Sequence, residues 1–158
     1  MISKEKRNTF LAQGALLAVA AALIAAYLVF MPKPLTPVVL PTTTLSIGKT
    51  TLQVELATTE DERQRGLSGR SSLGEGQGMF FVFDTPGNWG FWMKDMYFAI
   101  DIIWADQGGT IVAIEHNVEP ASFPKTFSPD ALASYVLEVP AGYAKKKGIA
   151  IGQQIVVQ

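Results

Sequence analysis

Two carboxylates occupy positions that a strand pattern would otherwise leave to apolar side chains. Asp101 stands between Ile100 and Ile102, and Glu138 follows Leu137 near the end of another apolar run. A buried carboxylate must find a partner or shift its pKa. If these two side chains share a cleft, they could act as general acid and base, or bind a cation through oxygen. Asp101 and Glu138 are therefore the candidate catalytic residues.

A structural role for Asp101 is the alternative, and we favour it. Arg65 lies near the end of a predicted helix and Arg70 in the loop after it, and either arginine could form an ion pair with Asp101. Backbone N–H groups could also bind its carboxylate. Such a pairing would lock the helix to the sheet without any part in chemistry, because removing one partner of a buried pair leaves an uncompensated charge.

A second kind of candidate lies in the aromatic stretch 78–106, which holds all three tryptophans. A Pro-Gly-Asn turn places Trp89 in a loop, and loops carry many binding residues. Aromatic faces can stack on sugars and other flat ligands, although most such rings are buried in cores. The predicted ligand-binding residues are Trp89, Trp92, Lys94, Asp95 and Arg70.

Several classes of site are excluded by composition. There is no cysteine, so disulfides, thiol catalysis and thiolate metal sites cannot occur. One histidine, His116, cannot build a multi-histidine zinc site, and no Gly-x-Ser-x-Gly motif accompanies it. Beyond residue 44 acids outnumber bases, which is the opposite of the charge pattern of nucleic-acid-binding domains. We therefore predict no metal, no cofactor and no nucleic-acid partner.

The N-terminal part of the sequence has the pattern of an export segment. Residues 1–9 carry Lys4, Lys6 and Arg7, and residues 10–31 contain no charged side chain. About 20 apolar residues are enough to span a bilayer as a helix. Positive residues before the span predict a cytoplasmic N-terminus and a periplasmic or extracellular domain. We predict an uncleaved single-pass signal-anchor in the cell membrane, with cleavage and secretion as the alternative.

Residues 32–44 are rich in proline and threonine, which favours an extended spacer between the membrane and a domain at 45–158. Within that domain Thr59 and Glu62 form a capping-box pattern that ends at Gly66, predicting one short helix. About seven short β-branched or aromatic runs predict strands, and a further helical turn is expected at the run of three lysines. The predicted fold is mainly β (α+β), a compact antiparallel sheet or barrel-like domain behind one transmembrane helix.

Five short motifs follow one another across this domain. They are Arg65-Gly66-Leu67 with Arg70, Gly78-Met79-Phe80, Phe91-Trp92-Met93-Lys94, Asp101-Ile102-Ile103 and Tyr135-Val136-Leu137-Glu138. In this order and spacing they resemble the domain-of-unknown-function 192 (DUF192) family, a conserved bacterial and archaeal group, over about residues 50–157. The resemblance implies a compact, mainly β fold, often behind an export segment. It implies no reaction, because none is established for the family.

Three places depart from the family pattern. Asp95 and Met96 stand where the family tends to have Asn-Thr, Ala99 replaces a proline, and Gln153 replaces an aspartate. If the Asn-Thr pair takes part in a site, this member is expected to bind differently.

These patterns predict an envelope-located binding or accessory module that recognises a small molecule or a protein partner through residues 89–94. A hydrolase-like enzyme using Asp101 and Glu138 with Lys94 is the alternative. A third hypothesis is a structural interaction domain whose aromatic stretch is entirely core. Exposed aromatic side chains around a concave site would favour the first, and two carboxylates converging in a cleft would favour the second.

Overall fold

The structure is a computed structural model that describes residues 39–158. The predicted transmembrane segment, residues 10–31, and most of the predicted spacer lie outside the described residues. Within 39–158 no helix has the length and apolar character needed to span a bilayer.

Strands dominate the described part of the chain. They are β1 (Thr42–Ile47), β2 (Thr50–Ala57), β3 (Gln77–Gly87), β4 (Phe91–Trp92), β5 (Ile100–Ala105), β6 (Ile111–Val118), β7 (Thr126–Phe127), β8 (Ala133–Pro140) and β9 (Ile155–Val157). The helices are α1 (Glu60–Arg65) and α2 (Tyr143–Lys147), with a 3-10 turn at Pro120–Ser122. The mainly β prediction is confirmed, and β1 begins before the predicted start of the domain at residue 45.

Helix α1 forms where the capping box predicts it. The Thr59 hydroxyl accepts from the Glu62 N–H at 3.3 Å, and the Glu62 carboxylate accepts from the Thr59 N–H at 2.9 Å. These contacts satisfy N–H groups that the first helical turn leaves without intrahelical partners. Gly66 ends the helix with a φ of 49°, a backbone conformation that glycine adopts readily.

The large sheet has seven strands in the order β6-β5-β8-β3-β2-β1-β9, and β4 pairs with β7 in a separate ladder. All neighbouring strands in the large sheet are antiparallel except β2 and β3. The sheet is therefore mixed rather than purely antiparallel. A parallel neighbour requires a crossover connection, which α1 and the loop after it provide.

The mixed sheet curls into a half-barrel. The start of β6 and the start of β9, which belong to the two edge strands, meet at a bridge between Thr110 and Gln154. The Ile111 N–H donates to the Gln153 carbonyl at 2.8 Å, and the Ile155 N–H donates to the Gly109 carbonyl at the same distance. Part of each edge is thus protected from pairing with other chains.

The two faces of the sheet pack into separate clusters. Successive residues of a strand point to opposite faces. The Phe80 face carries Leu45, Leu52, Val54, Phe80, Ile103, Leu137 and Ile155. The Phe81 face carries Met79, Phe81, Ile102, Trp104 and Val136 and is covered by residues from outside the large sheet, including Leu67, Met93, Met96 and Phe127. The candidate site lies on this face, among the covering residues.

Candidate functional site

A cavity of about 370 Å³ opens on the Phe81 face, beside the C-terminal end of α1 and strand β4. Its aromatic lining consists of Phe81, Phe83, Trp89, Phe91 and Trp92. Leu67 and Met96 add to the apolar lining, and charged side chains come from Glu60, Arg63, Arg65 and Glu138. Concave, mainly apolar surfaces with a few polar groups are typical of small-molecule sites.

The aromatic walls are held by ring contacts. Phe83 stacks on Trp89 with ring centres 4.1 Å apart and planes 11° apart. Phe81 meets Phe91 edge to face at 4.8 Å. The indole N–H of buried Trp104 donates to the Trp89 carbonyl at 2.9 Å, which anchors the loop between β3 and β4 to the sheet. Such contacts add to the burial energy of the rings and orient them, so contacts within the protein hold the aromatic walls in place.

Helix α1 fixes one side of the cavity through Arg63. The Arg63 guanidinium lies 5.0 Å from the centre of the Phe83 ring, and it donates to the Val82 carbonyl at 2.9 Å and to the Thr58 carbonyl. A guanidinium over an aromatic face gains a cation–π attraction. Arg63 therefore ties α1 to β3 and supports the aromatic wall.

Glu138 is a buried polar residue of the cavity lining. The residue is 5% exposed, and its Oε2 has no hydrogen-bond partner within residues 39–158. On either side of it across the sheet stand Met79 and Ile102, which share its face. Burial raises the pKa of the Glu138 carboxyl to about 8, because the charged form loses its hydration. At neutral pH Glu138 is therefore protonated, with a hydroxyl that can donate.

Arg70 does not neutralise Glu138, because it is held by Glu55 on β2. The two Arg70 terminal nitrogens donate to the two Glu55 oxygens at 2.5 and 2.7 Å, a bidentate pair. Hydrogen bonding to Arg70 lowers the pKa of Glu55. The positive charge of Arg70 also acts to lower the pKa of Glu138, but burial outweighs it.

A second polar group of the cavity lining is incompletely satisfied. The Trp89 indole nitrogen is buried and has no acceptor among the described residues. It lies against the backbone of Gly87, where an added Cβ would stand 3.3 Å from it. Buried polar groups without partners are rare in folded proteins. Two of them, Glu138 and Trp89, belong to residues that line one cavity.

Asp101, the other candidate carboxylate, is fully buried and fully partnered. Its Oδ1 accepts from the N–H groups of Asn117 at 2.9 Å and Gly142 at 3.0 Å, and its Oδ2 accepts from Ala144 at 2.9 Å. The ion pair with Arg65 or Arg70 is not formed; backbone N–H groups bind this carboxylate instead. Asp101 thus joins β5 to the end of β6 and to the first turn of α2.

The register of β5 and β8 separates the two carboxylates. Asp101 stands opposite Val139, and Ile102 stands opposite Glu138. Because residues paired across a sheet share a face and successive residues alternate, Asp101 points to the Phe80 face and Glu138 to the Phe81 face. The sheet itself lies between them, so they do not form the carboxylate pair of the hydrolase-like alternative.

Two of the predicted binding residues, Trp89 and Trp92, line the cavity, while Lys94, Asp95 and Arg70 are not part of its lining. Lys94 and Asp95 are exposed, and their backbones hold the neighbouring loop. The Ser68 hydroxyl donates to the Lys94 carbonyl at 2.8 Å. The Gly69 N–H donates to the Asp95 carbonyl at 2.9 Å.

Other lining residues were not predicted from the sequence. They include Phe81, Phe83, Met96 and Arg63, whereas Phe91 lies in the predicted binding region 89–94. Phe81 and Phe83 alternate along β3, so their common face could be inferred, but not that a cavity lies over it. The position of Arg63 on α1 depends on how the helix packs on β3, which no local pattern specifies.

The described residues offer no metal centre. Within 39–158 no three side chains of the types His, Cys, Asp or Glu cluster together. His116 lies 3.9 Å from Asp101 through its Nδ1, is about half exposed, and has no third partner of this kind.

The chain is similar to proteins of known structure and matches one protein family. A protein from Sinorhizobium meliloti 1021, proposed to be a transcription regulator, is 28% identical with a TM-score of 0.73, over 77% of this chain and 98% of that one. A protein of unknown function from Novosphingobium aromaticivorans DSM 12444 is also 28% identical, with a TM-score of 0.72, over 77% of this chain and 89% of that one. No curated protein matches the sequence. The family described as DUF192, Uncharacterized ACR, matches residues 43–157, and the chain belongs to it.

Proposed function

We propose that this domain binds a small, largely apolar molecule in the cavity on the Phe81 face. The observation that carries the proposal is Glu138, a buried carboxyl in the lining of an aromatic cavity whose Oε2 has no hydrogen-bond partner among the described residues. Leaving a buried polar group unpaired costs roughly 1–3 kcal/mol. A ligand that reaches the carboxyl would recover part of this free energy, whereas a purely structural domain would gain stability from an apolar residue there.

The lining supports a binding role over a purely structural one. Phe81 comes from β3 and Phe91 and Trp92 come from β4, and all three line a concave space. Trp92 is 53% exposed although it lines this space. Exposed aromatic side chains at the mouth of a cavity supply contact area that a bound ligand would cover.

One observation supports a catalytic role. A general acid or base works best when its pKa lies near the operating pH, and the pKa of Glu138 is about 8. However, Asp101 is on the other face of the sheet and Lys94 lies outside the cavity lining. Of the three groups of the hydrolase-like alternative, only Glu138 remains, so binding without turnover is the simpler proposal.

The place of action is proposed from the sequence. The apolar segment 10–31 behind Lys4, Lys6 and Arg7 supports a membrane anchor that holds the domain at the cell envelope. Protease treatment of spheroplasts tests this: an exported domain is digested from outside, and a domain that stays protected until the spheroplasts are lysed contradicts it.

Thermal unfolding of the full chain tests the binding proposal. The compounds are small aromatic and aliphatic molecules, saccharides, peptidoglycan fragments and nucleotides. A ligand at a hundred times its Kd stabilises the folded state by about 2.7 kcal/mol, which raises the Tm by several degrees. The variant Trp92→Ala should lose the shift, because Trp92 lines the cavity. Tyr97→Ala, which removes a 71% exposed ring outside the cavity lining, should retain it. A shift that survives Trp92→Ala places the ligand elsewhere and contradicts the proposal.

A further inference from the structure

The chemical class of the ligand can be inferred from what surrounds Glu138, and this inference rests on the proposed function. Its side chain lies between Met79 and Ile102 on the sheet and lines the cavity together with the aromatic rings. A protonated carboxyl group carries one O–H donor and one carbonyl acceptor on neighbouring atoms. Its best partner is a group that offers an acceptor and a donor side by side.

The charges around Glu138 disfavour a cationic ligand. Arg70 faces Glu138 from the loop after α1 and is already paired with Glu55 of β2. On the α1 side the charged lining residues are Glu60, Arg63 and Arg65, with positive charge in excess. A cation entering the cavity would meet these arginines and would also have to ionise Glu138.

An anionic ligand is disfavoured by the aromatic lining. Of the arginines, Arg63 is committed to two carbonyls and the Phe83 ring, and Arg70 to Glu55. Arg65 also lines the cavity, but its side chain is exposed, whereas Glu138 is buried. A carboxylate deep in the cavity would lose its hydration without a free guanidinium beside Glu138, which is costly. An uncharged partner avoids both penalties.

We propose that the ligand carries an uncharged amide-type edge, a carboxamide or a lactam, which forms paired hydrogen bonds with the Glu138 carboxyl group while its apolar body packs against the aromatic walls. The raised pKa of Glu138 supports this, because the buried carboxyl is protonated at neutral pH. The pairing requires that proton, so binding weakens when Glu138 ionises.

Three probes with one ring and different polar groups test the class: benzamide, benzoate and benzylamine. Their Kd values for the full chain are measured by ligand-observed NMR. We expect benzamide to bind at least tenfold more tightly than the other two at pH 6.5. Between pH 6.5 and 9.5 its Kd should rise about 30-fold, as the protonated fraction of a carboxyl with a pKa of about 8 falls.

Two substitutions separate hydrogen bonding from packing. Glu138→Gln keeps a donor and an acceptor, so it should bind benzamide at both pH values without the 30-fold change. Glu138→Leu removes both groups and should weaken benzamide binding at least tenfold. Circular dichroism checks that each variant is folded.

The other outcomes overturn the inference in distinguishable ways. Preferential binding of benzylamine, tightening as the pH rises and lost in Glu138→Gln, would make Glu138 the counter-ion of a cation. Preference for benzoate would make the site an anion site. In both cases the cavity remains a binding site and only the ligand class is wrong. If none of the probes binds, or if neither Trp92→Ala nor Glu138→Leu weakens binding, the inference fails together with the binding role of the cavity.

Discussion

Asp101 and Glu138 lie one register step apart on neighbouring strands, and their side chains point to opposite faces of the sheet. Three backbone N–H groups bind the carboxylate of Asp101. The Oε2 oxygen of Glu138 has no hydrogen-bond partner among the described residues. One buried carboxyl group, that of Asp101, therefore stabilises the fold, whereas the other, that of Glu138, keeps an oxygen without a hydrogen bond.

Glu138 should make stability fall as the pH rises. Its ordinary pKa of 4.5 is raised to about 8 by folding, so between these values the folded state holds a proton that the unfolded state has lost. The contribution is fully present below pH 4.5 and decreases by up to about 1.4 kcal/mol per pH unit until pH 8. Urea unfolding at several pH values measures the slope.

The matched variants for this prediction are Glu138→Gln and Glu75→Gln. The first has no ionisable group in the cavity and should remove the decline, while the second changes an exposed carboxylate and should preserve it. A wild-type stability that is flat from pH 5 to 8 would show that Glu138 is ionised in the folded protein.

Replacing Asp101 should destabilise the fold severely. Asp101→Ala leaves three buried or part-buried N–H groups without an acceptor, and hydrogen bonds to a charged group contribute about 1.5–3 kcal/mol each. We expect a loss of at least about 3 kcal/mol in the free energy of unfolding. Asp84→Ala, at an exposed position, should change it by less than about 0.5 kcal/mol. A mild effect of Asp101→Ala would mean that water replaces the carboxylate.

The Arg70–Glu55 ion pair should contribute modestly to the free energy of unfolding, and its contribution should be lost at low pH. A double-mutant cycle with Arg70→Met and Glu55→Gln should give a coupling of about 1 kcal/mol at pH 7, since the pair is bidentate but partly exposed. Because Arg70 lowers the pKa of Glu55, the coupling is present above pH 4.5 and is lost as the pH falls below it. The more exposed pair of Lys146 and Glu75 should couple less. Equal coupling in both pairs would argue against any benefit of the bidentate geometry.

Gly78 should tolerate no side chain. A Cβ at this position would stand 2.8 Å from the backbone carbonyl oxygen of Glu138, and 3.1 Å from side-chain atoms of Leu137 and Val54. The backbone oxygen cannot move without disturbing β8, so Gly78→Ala should cost about 1–3 kcal/mol. Gly108→Ala, whose nearest neighbour is the movable Asp106 carboxylate at 3.3 Å, should be close to neutral. Chemical denaturation compares the two, and equal stabilities would contradict the close packing of β3 on β8.

Local sequence patterns predicted both helices and about seven of the nine strands, but not the two-residue strand β7. The contacts that form α1 lie within a few residues of one another, so Thr59, Glu62 and Gly66 predict its start and end. Alternation and turn residues predict strands because they too act over short distances. The parallel pairing of β2 with β3 was not predicted, because it depends on where a crossover lands rather than on either strand alone.

The sequence by itself determined that Asp101 and Glu138 are carboxylates in apolar strands and that aromatic residues cluster in the stretch 78–106. Only the tertiary structure decided which of them is satisfied. Whether a buried carboxylate meets N–H groups or lines a cavity depends on sheet register and on the residues that cover each face, which lie far apart in the chain. For the same reason Trp89 and Trp92 lie beside Glu138 in one cavity, whereas Lys94 and Asp95 hold a loop at its side.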